Sequence, residues 1–289
     1  MTMKSPDQQS FVMITGASAG IGKAMAHEFA RTRHDLFLMA LPNTGLEEVA
    51  ESLRIQFKII VHIYCIDLTD PEAPSKILSW CKTKLLKVNI LVNNAGFGNL
   101  ELFENTSPCV MQNMMQLNIV ALVLLTHHFI PELKKFRQSY ILNVGSLAGF
   151  MPMPNKSLYA ASKSFVYSFS HSLYVELKHT SIHVSCLCPG ATLTERVLQM
   201  LEEKKVNRKG FCQRPETVAA AGIKGLYLKH FRIIPGLHNR FLFLLSQVLP
   251  DWLKLLIIHI AFKQTKSVKI VYNKQVSVSM IRSLALICR

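Results

Sequence analysis

Tyr159 and Lys163 stand four residues apart in NKSLYAASKSF (155–165), with only Ala and Ser between them. On a helix that spacing is about one turn, so a phenol and an ammonium project from one face. Such a pair is either a plain surface contact or a tyrosine whose pKa the neighbouring charge lowers, letting it trade protons near neutrality. Ser146 ends an apolar run 13 residues before Tyr159 and on its own reads as a loop hydroxyl. Asn118 lies inside the apolar MMQLNIVALVLL, where an amide is ordinarily a satisfied core group.

A second set of residues suits an anion. TGASAGIG (15–22) carries Gly16 for a tight turn, Gly20 for close approach of a ligand and Gly22 for close helix packing. Placed between a strand and a helix, its free N–H groups and the positive helix end face a pyrophosphate. Asp67 closes another strand, where its carboxylate or the adjacent Leu68 backbone would meet an adenine, unless it is an ordinary turn residue. NNAG (93–96) ends a further strand and would brace backbone around a ligand, although an Asn/Gly turn has the same composition.

The elements that must position these residues alternate along the chain. Strands are expected at 11–16, 35–40, 58–70, 88–96, 139–146, 181–190 and 231–236. Between them helical patterns run over 21–32 and 45–57, from Pro71, over 107–135 with Ser107 as N-cap and Pro108 at the first position, and over 156–179. Apolar strands alternating with helices predict an α/β fold, a doubly wound parallel sheet of Rossmann type. Ligands on such sheets bind beyond the carboxyl ends of the strands, where all the residues above fall.

Taken in order, T-G-x-x-x-G-I-G, the strand-end Asp67, N-N-A-G, Asn118, Ser146, Y-x-x-x-K and PGATLT resemble the short-chain dehydrogenase/reductase superfamily over roughly residues 11–236. The likeness is to the single-domain branch with the Y-x-x-x-K signature. LVNNAGFG and RIIPGLHNRFL are most similar to bacterial general short-chain dehydrogenases, akin to ketoacyl and steroid reductases. The resemblance implies hydride exchange between a nicotinamide cofactor and a carbonyl or alcohol. Tyr159 would be general acid or base, Lys163 would lower the phenol pKa and bond the nicotinamide ribose, and Ser146 would hold the carbonyl oxygen. Asn118 would interrupt its helix to hold a water feeding protons through Lys163. Thr15, Gly16, Ser18, Gly20, Ile21 and Gly22 would cradle the pyrophosphate. Asn93, Ala95 and Gly96, with Asp67 and Leu68, would steady the adenosine side, and Pro189, Gly190, Thr192 and Thr194 would fix the nicotinamide amide.

The end of the second strand bears on the cofactor. An acid there would hold the ribose hydroxyls of NAD, and an Arg would welcome the extra phosphate of NADP. The position is Leu41, and Ala19 stands before Gly20, so nothing repels a phosphate and no base grips it; NADP(H) is favoured over NAD(H). Phe97, Leu147, Phe150, Met151 and Met153, with the stretch 195–214, are expected to line the approach to Tyr159 and to suit a small apolar carbonyl compound or alcohol. The rival reading is a catalytically silent dinucleotide-binding redox sensor or scaffold. The full Asn118, Ser146, Tyr159 and Lys163 set speaks against it, since a binder needs only the glycine turn.

Composition bounds the rest. The 289 residues, 49% hydrophobic and 18% charged, fit one domain with an appendage. We expect residues 1–10 to be a flexible N-terminus, 11–236 the cofactor and catalytic domain, and 237–289 a C-terminal helical extension. No apolar leader occurs in the first ten residues, so the cytoplasm is expected. Seven cysteines show no C-x-x-C pair, and neither disulfides nor a metal site is expected. Residues 1–200 carry 17 Lys/Arg against 14 Asp/Glu, whereas 201–289 carry 16 against 4. So uneven a charge argues against nucleic acid as a partner and needs its own cause. NRFLFLLSQVLPDWLKLLIIHIAFK (239–263) is apolar but broken at Pro250. It reads as a lid or dimer contact, as a segment lying on an anionic membrane surface at the inner face, or as a span. A homo-oligomer is expected; the final 267–289 alternates like a strand without a place in the sheet.

Overall fold

The computed structural model describes residues 10–195, 197–199, 212–250 and 253–254. The expected N-terminal arm, most of 195–214 and the last strand-like stretch lie outside the described residues.

Seven parallel strands form one sheet in the order β3-β2-β1-β4-β5-β6-β7. They are β1 Phe11–Thr15, β2 Asp35–Ala40, β3 Val61–Cys65, β4 Val88–Asn93, β5 Ser139–Val144, β6 Ile182–Leu187 and β7 Arg232–Ile233. β1, β2 and β5 are buried at every position, as strands covered on both faces must be. Alternate side chains serve different layers. Val12 and Ile14 join Met25 and Phe29 of α1 (Gly20–Arg31), Leu46 and Leu53 of α2 (Leu46–Phe57) and Val218 and Leu226 further on. Met13 and Phe37 face the opposite layer, with Ile77 of α3 (Ala73–Thr83) and later helices. Each fully buried Phe or Leu in these layers contributes roughly 1.5–3 kcal/mol. The strand order reverses direction between β1 and β4, which opens a crevice at their carboxyl ends.

The long apolar helical run is real but not uniform. It comprises α4 (Pro108–Met115), capped by Ser107 Oγ accepting from Val110 N at 3.4 Å, a wider π-type turn over Gln116–Ala121, and α5 (Leu122–Leu133). By length and composition Pro108–Leu133 would suffice to cross a membrane, but here it covers the sheet, with Leu125, Phe129 and Leu133 in the second layer. α6 (Ser157–Glu176) carries the Tyr–Lys pair, and α7 (Pro215–Tyr227), a further helix between β6 and β7, covers the first layer. The third strand is shorter than expected. It stops at Cys65 because Asp67 turns the chain, its Oδ1 accepting from both Thr69 N and Thr69 Oγ1 at 2.8 Å. α8 (Leu237–Val248) follows β7 and ends before an extended Leu249 that precedes Pro250. A third apolar cluster of Leu122, Leu147, Val166, Cys186, Cys188, Ile234 and Phe243 joins it to the domain.

One expectation about cysteines fails. Cys65, Cys81, Cys186, Cys188 and Cys212 are free, but Cys109 is disulfide-bonded.

Candidate active site

β1 delivers Thr15 to the mouth of the crevice, and its hydroxyl ties two strand ends together. Thr15 Oγ1 accepts from Asn94 N and Ala95 N, both at 2.9 Å. Asn94 Nδ2 donates back to Thr15 O at 2.8 Å and Gly16 O at 3.1 Å. Gly16 adopts φ +65°, a left-handed turn that residues with a Cβ resist. A Cβ at Gly22 would stand 2.1 Å from Gly16 O, so α1 starts close beneath the turn only because that position is glycine. Ser18 and Ile21 are half-buried, Ile21 against the first layer. α1 has no acid in its first turn, and its cap residue Ala19 supplies no acceptor. Instead Glu195 Oε2 accepts from Gly20 N at 3.0 Å. A carboxylate thus stands where a pyrophosphate would lie, and the cradle fits an anion.

The second cluster gathers at the ends of β4 and β5. The Lys163 ammonium is buried and donates to Val144 O at 2.8 Å. Burial lowers its pKa from 10.5 to about 8. It lies 5.9 Å from the Tyr159 ring centroid. The phenol departs from expectation: its pKa is raised, because burial outweighs a hydrogen bond with Ser146 that works in the other direction. The ammonium does not reverse this, being itself desolvated and committed to a carbonyl. Ser146 Oγ also accepts from Ala148 N at 3.1 Å, and Leu147 N donates to Pro189 O at 2.9 Å, which ties this loop to the end of β6.

Asn118 sits in the π-type turn, a helical irregularity frequent at functional sites. Its side chain is an internal brace: Oδ1 accepts from Phe97 N at 3.0 Å, and Nδ2 donates to Phe97 O at 2.9 Å and Ser162 Oγ at 3.1 Å. The braced segment runs against the reactive pair. A Cβ on Gly96 would come within 3.4 Å of Lys163 Nζ, and one on Gly98 within 2.7 Å of the Tyr159 ring.

The segment after β6 closes the site. Thr192 Oγ1 donates to Gly190 O at 3.1 Å and its backbone bridges Gln213; Thr194 lies over Gly20. Asn239 of α8 presses on Gly190 and donates to Gln213 Oε1 and Pro235 O, both at 2.8 Å.

Several expected residues lie elsewhere. Asn93 is buried and donates to Thr126 Oγ1 at 3.0 Å and Asn143 Oδ1 at 2.8 Å inside the sheet's cover, so Asn94 and not Asn93 holds the glycine turn. Leu68 is buried, and one Asp67 oxygen is taken by its own turn. Leu41 is 43% exposed beyond β2, with neither an acid nor an Arg in its place. Leu147 is buried in the third cluster, and Phe150 is stacked edge-on between Tyr167 and Phe243. Phe150, Met151 and Met153 line a cavity of about 630 Å³ with Ala160, Ala161 and Ser164, and none of Asn118, Ser146, Tyr159 and Lys163 lines it. At about 100° per residue, Ala161 and Ser164 fall about 100–180° round α6 from Tyr159 and Lys163, with Ala160 between, so most of that lining is on another side of the helix. Of the expected apolar lining, Phe97 has its backbone fastened to Asn118, between Gly96 against Lys163 and Gly98 against the Tyr159 ring. Asn94 was legible as part of NNAG; Glu195 and Asn239 carry no motif. Among the described residues no group of three or more His, Cys, Asp or Glu could hold a metal.

Residues 10–205 match the family model described as short chain dehydrogenase, which spans the crevice, the brace and the Tyr–Lys helix. The chain belongs to the short-chain dehydrogenase family. This short-chain dehydrogenase is 35% identical over 189 residues to a sulfoacetaldehyde reductase of Chromohalobacter salexigens, covering 65% of this chain and 74% of the relative. It is 27% identical over 277 residues to a very-long-chain 3-oxoacyl-CoA reductase of Macaca fascicularis, covering 94% of this chain and 84% of the relative. A solved short-chain dehydrogenase from Sphingobium yanoikuyae in complex with NADPH superposes with a TM-score of 0.72 at 31% identity, covering 79% of this chain and 88% of that one. The chain is therefore an NAD(P)-using oxidoreductase of the carbonyl/alcohol class, on the doubly wound parallel sheet expected from its sequence.

Proposed function

We propose that the protein is an NADP(H)-preferring carbonyl reductase for an apolar substrate, with Tyr159 as its general acid. The observation that carries this is the pairing of a protonated phenol with the Ser146 hydroxyl beside a buried lysine that titrates near 8. Bound NADPH would supply the hydride. The protein's part is to hold the carbonyl oxygen between Ser146 Oγ and Tyr159 Oη and to give it the phenolic proton as the alcohol forms. Burial keeps the phenol protonated at neutrality, which suits reduction. Lys163, with its pKa brought down to about 8, would return a proton to the phenolate. The glycine turn and the Thr15–Asn94 clasp would hold the pyrophosphate. Asn118 would keep Gly96–Gly98 against the ribose side of Lys163.

Support for NADP(H) is the absence of a carboxylate at Leu41 and the likeness to a dehydrogenase solved with NADPH. Support for an apolar substrate is Phe97 beside the site and the acyl substrate named for one relative. Exposed Met115 and Val120 on the α4–α5 run and Phe165 on α6 support a homo-oligomer. The test is turnover of a panel of apolar ketones with NADPH and with NADH, by wild type and Tyr159→Phe. We expect faster turnover with NADPH, and a loss of about 10²–10⁴-fold in the variant at unchanged cofactor affinity. A variant retaining more than about a tenth of the rate would remove Tyr159 from the proton-transfer role. No turnover of any substrate by the folded, cofactor-binding wild type would return the silent binder.

A further inference from the structure

α8 presents two unlike faces. Asn239, Phe243 and Ser246 are buried against the domain, where Phe243 meets Phe150 at 4.8 Å between ring centroids and Arg232 lies 4.3 Å over its ring. Leu237, Phe241, Leu244 and Val248 recur at a spacing of four, three and four, which is one stripe of a helix. They are 81, 63, 59 and 82% exposed, and Leu242 widens the stripe. A lid would turn its apolar stripe towards the domain. Here the face toward the domain carries Asn239 and Ser246 beside the single large apolar residue Phe243, and the four-residue apolar stripe points out.

Charge selects what the stripe meets. From Leu237 to the end the sequence has eight Lys/Arg and one acid, Asp251. A second copy would bring another chain of net charge +15 to the stripe, and like charges across an interface are unfavourable. An anionic lipid surface complements both properties, since apolar insertion and a basic neighbourhood are the two signals that together hold a protein on a membrane. We propose that α8 is a membrane-docking helix, which lays Leu237, Phe241, Leu244 and Val248 into the interface of an anionic bilayer while the basic C-terminal end supplies attraction to the headgroups. The inference stands on this face and its charge, whatever the substrate.

The full-length protein should co-sediment at low salt with phosphatidylcholine vesicles containing phosphatidylserine, bind pure phosphatidylcholine weakly, and be released from the former by salt. Replacing the stripe together, Leu237→Ser, Phe241→Ser, Leu244→Ser and Val248→Ser, should weaken binding at least tenfold while the circular-dichroism melt and cofactor binding stay at wild-type values. Ile55→Ser, at an equally exposed residue on α2, should leave vesicle binding unchanged. A second readout does not depend on the quadruple variant folding: Phe241→Trp should be quenched by brominated phospholipid in anionic vesicles beyond the quenching of wild type. The proposal is overturned if wild type ignores anionic vesicles, if the folded stripe variant binds them as well as wild type, or if Phe241→Trp goes unquenched. It is also overturned if wild type is a dimer that the stripe variant breaks to monomers without change in vesicle binding, for then a second copy covers the stripe.

Discussion

Asn118→Ala tests the brace. The substitution removes three hydrogen bonds, to Phe97 N, Phe97 O and Ser162 Oγ. Ser162 keeps its bond to Tyr159 O at 2.7 Å, so its hydroxyl is not orphaned. The Phe97 N–H and C=O are, and an unpaired buried group costs about 1–3 kcal/mol. Phe97 is only half-buried, so water meets part of that need, which leaves about 2–4 kcal/mol of destabilisation. For a domain of this size each kcal/mol lowers Tm by about 2–4 °C, so a melt without cofactor should fall by about 5–15 °C. Turnover should fall too, because the released segment carries Gly96 against Lys163 and Gly98 against the Tyr159 ring. Asn118→Asp should be intermediate, for it can still accept from Phe97 N but has no donor for Phe97 O. A melt within about 2 °C of wild type would refute the brace, even if activity were lost, and would leave the amide acting directly on the chemistry.

Three further outcomes follow from the same geometry. Glu195→Gln removes the anion that competes at Gly20 N, so NADPH should bind about two- to fivefold more tightly at low salt by fluorescence titration; equal or weaker binding would mean that the carboxylate is no competitor. Gly22→Ala sets a Cβ 2.1 Å from Gly16 O and must displace the turn, costing roughly 1–3 kcal/mol and lowering cofactor affinity more than tenfold; unchanged affinity would separate the turn from the cofactor site. The buried Lys163 loses its proton at about 8 in the folded protein but only at 10.5 when unfolded, so the unfolded chain binds more protons between those values. Stability should therefore rise with pH across that window, and Lys163→Met should flatten the slope in melts taken at successive pH; an unchanged slope would contradict the desolvated ammonium.

How far a sequence reveals such a site depends on which physical scale sets each feature. The strand runs, the glycine turn and the Tyr–Lys spacing are local, and the chain order of β1, α1 and β4 already brings Thr15 and Asn94 to one end of the sheet. The strand limits are local too, but Asp67 ends the third strand early through a turn that its own side chain makes. Burial is not local. Whether the ammonium lowers the phenol depends on how far each is desolvated, and here burial sets the direction for both, raising the phenol and lowering the ammonium. The same holds for Asn93 against Asn94: in a strand covered on both faces, period-two alternation does not say which side chain faces the crevice, and Asn93 pairs across the sheet with Asn143.

α8 shows the limit most directly, because its periodicity is plain in the sequence and points the wrong way. Leu237, Phe241, Leu244 and Val248 are the stripe a globular helix is expected to bury. The domain takes the other face because it offers partners that those leucines cannot use. Pro235 O and Gln213 Oε1 accept from Asn239, Gly190 leaves room only for that side chain, and Phe150 and Arg232 receive Phe243. Turning the helix over would leave Asn239 without those acceptors and Leu237 against a polar strand end, so polar satisfaction fixes the orientation and the apolar stripe is what remains outside. A helix held to the domain by Asn239 at the Gly190 segment and by Phe243 in the third apolar cluster, and exposing its other apolar residues, links whatever covers the stripe to the end of β6 that closes the site.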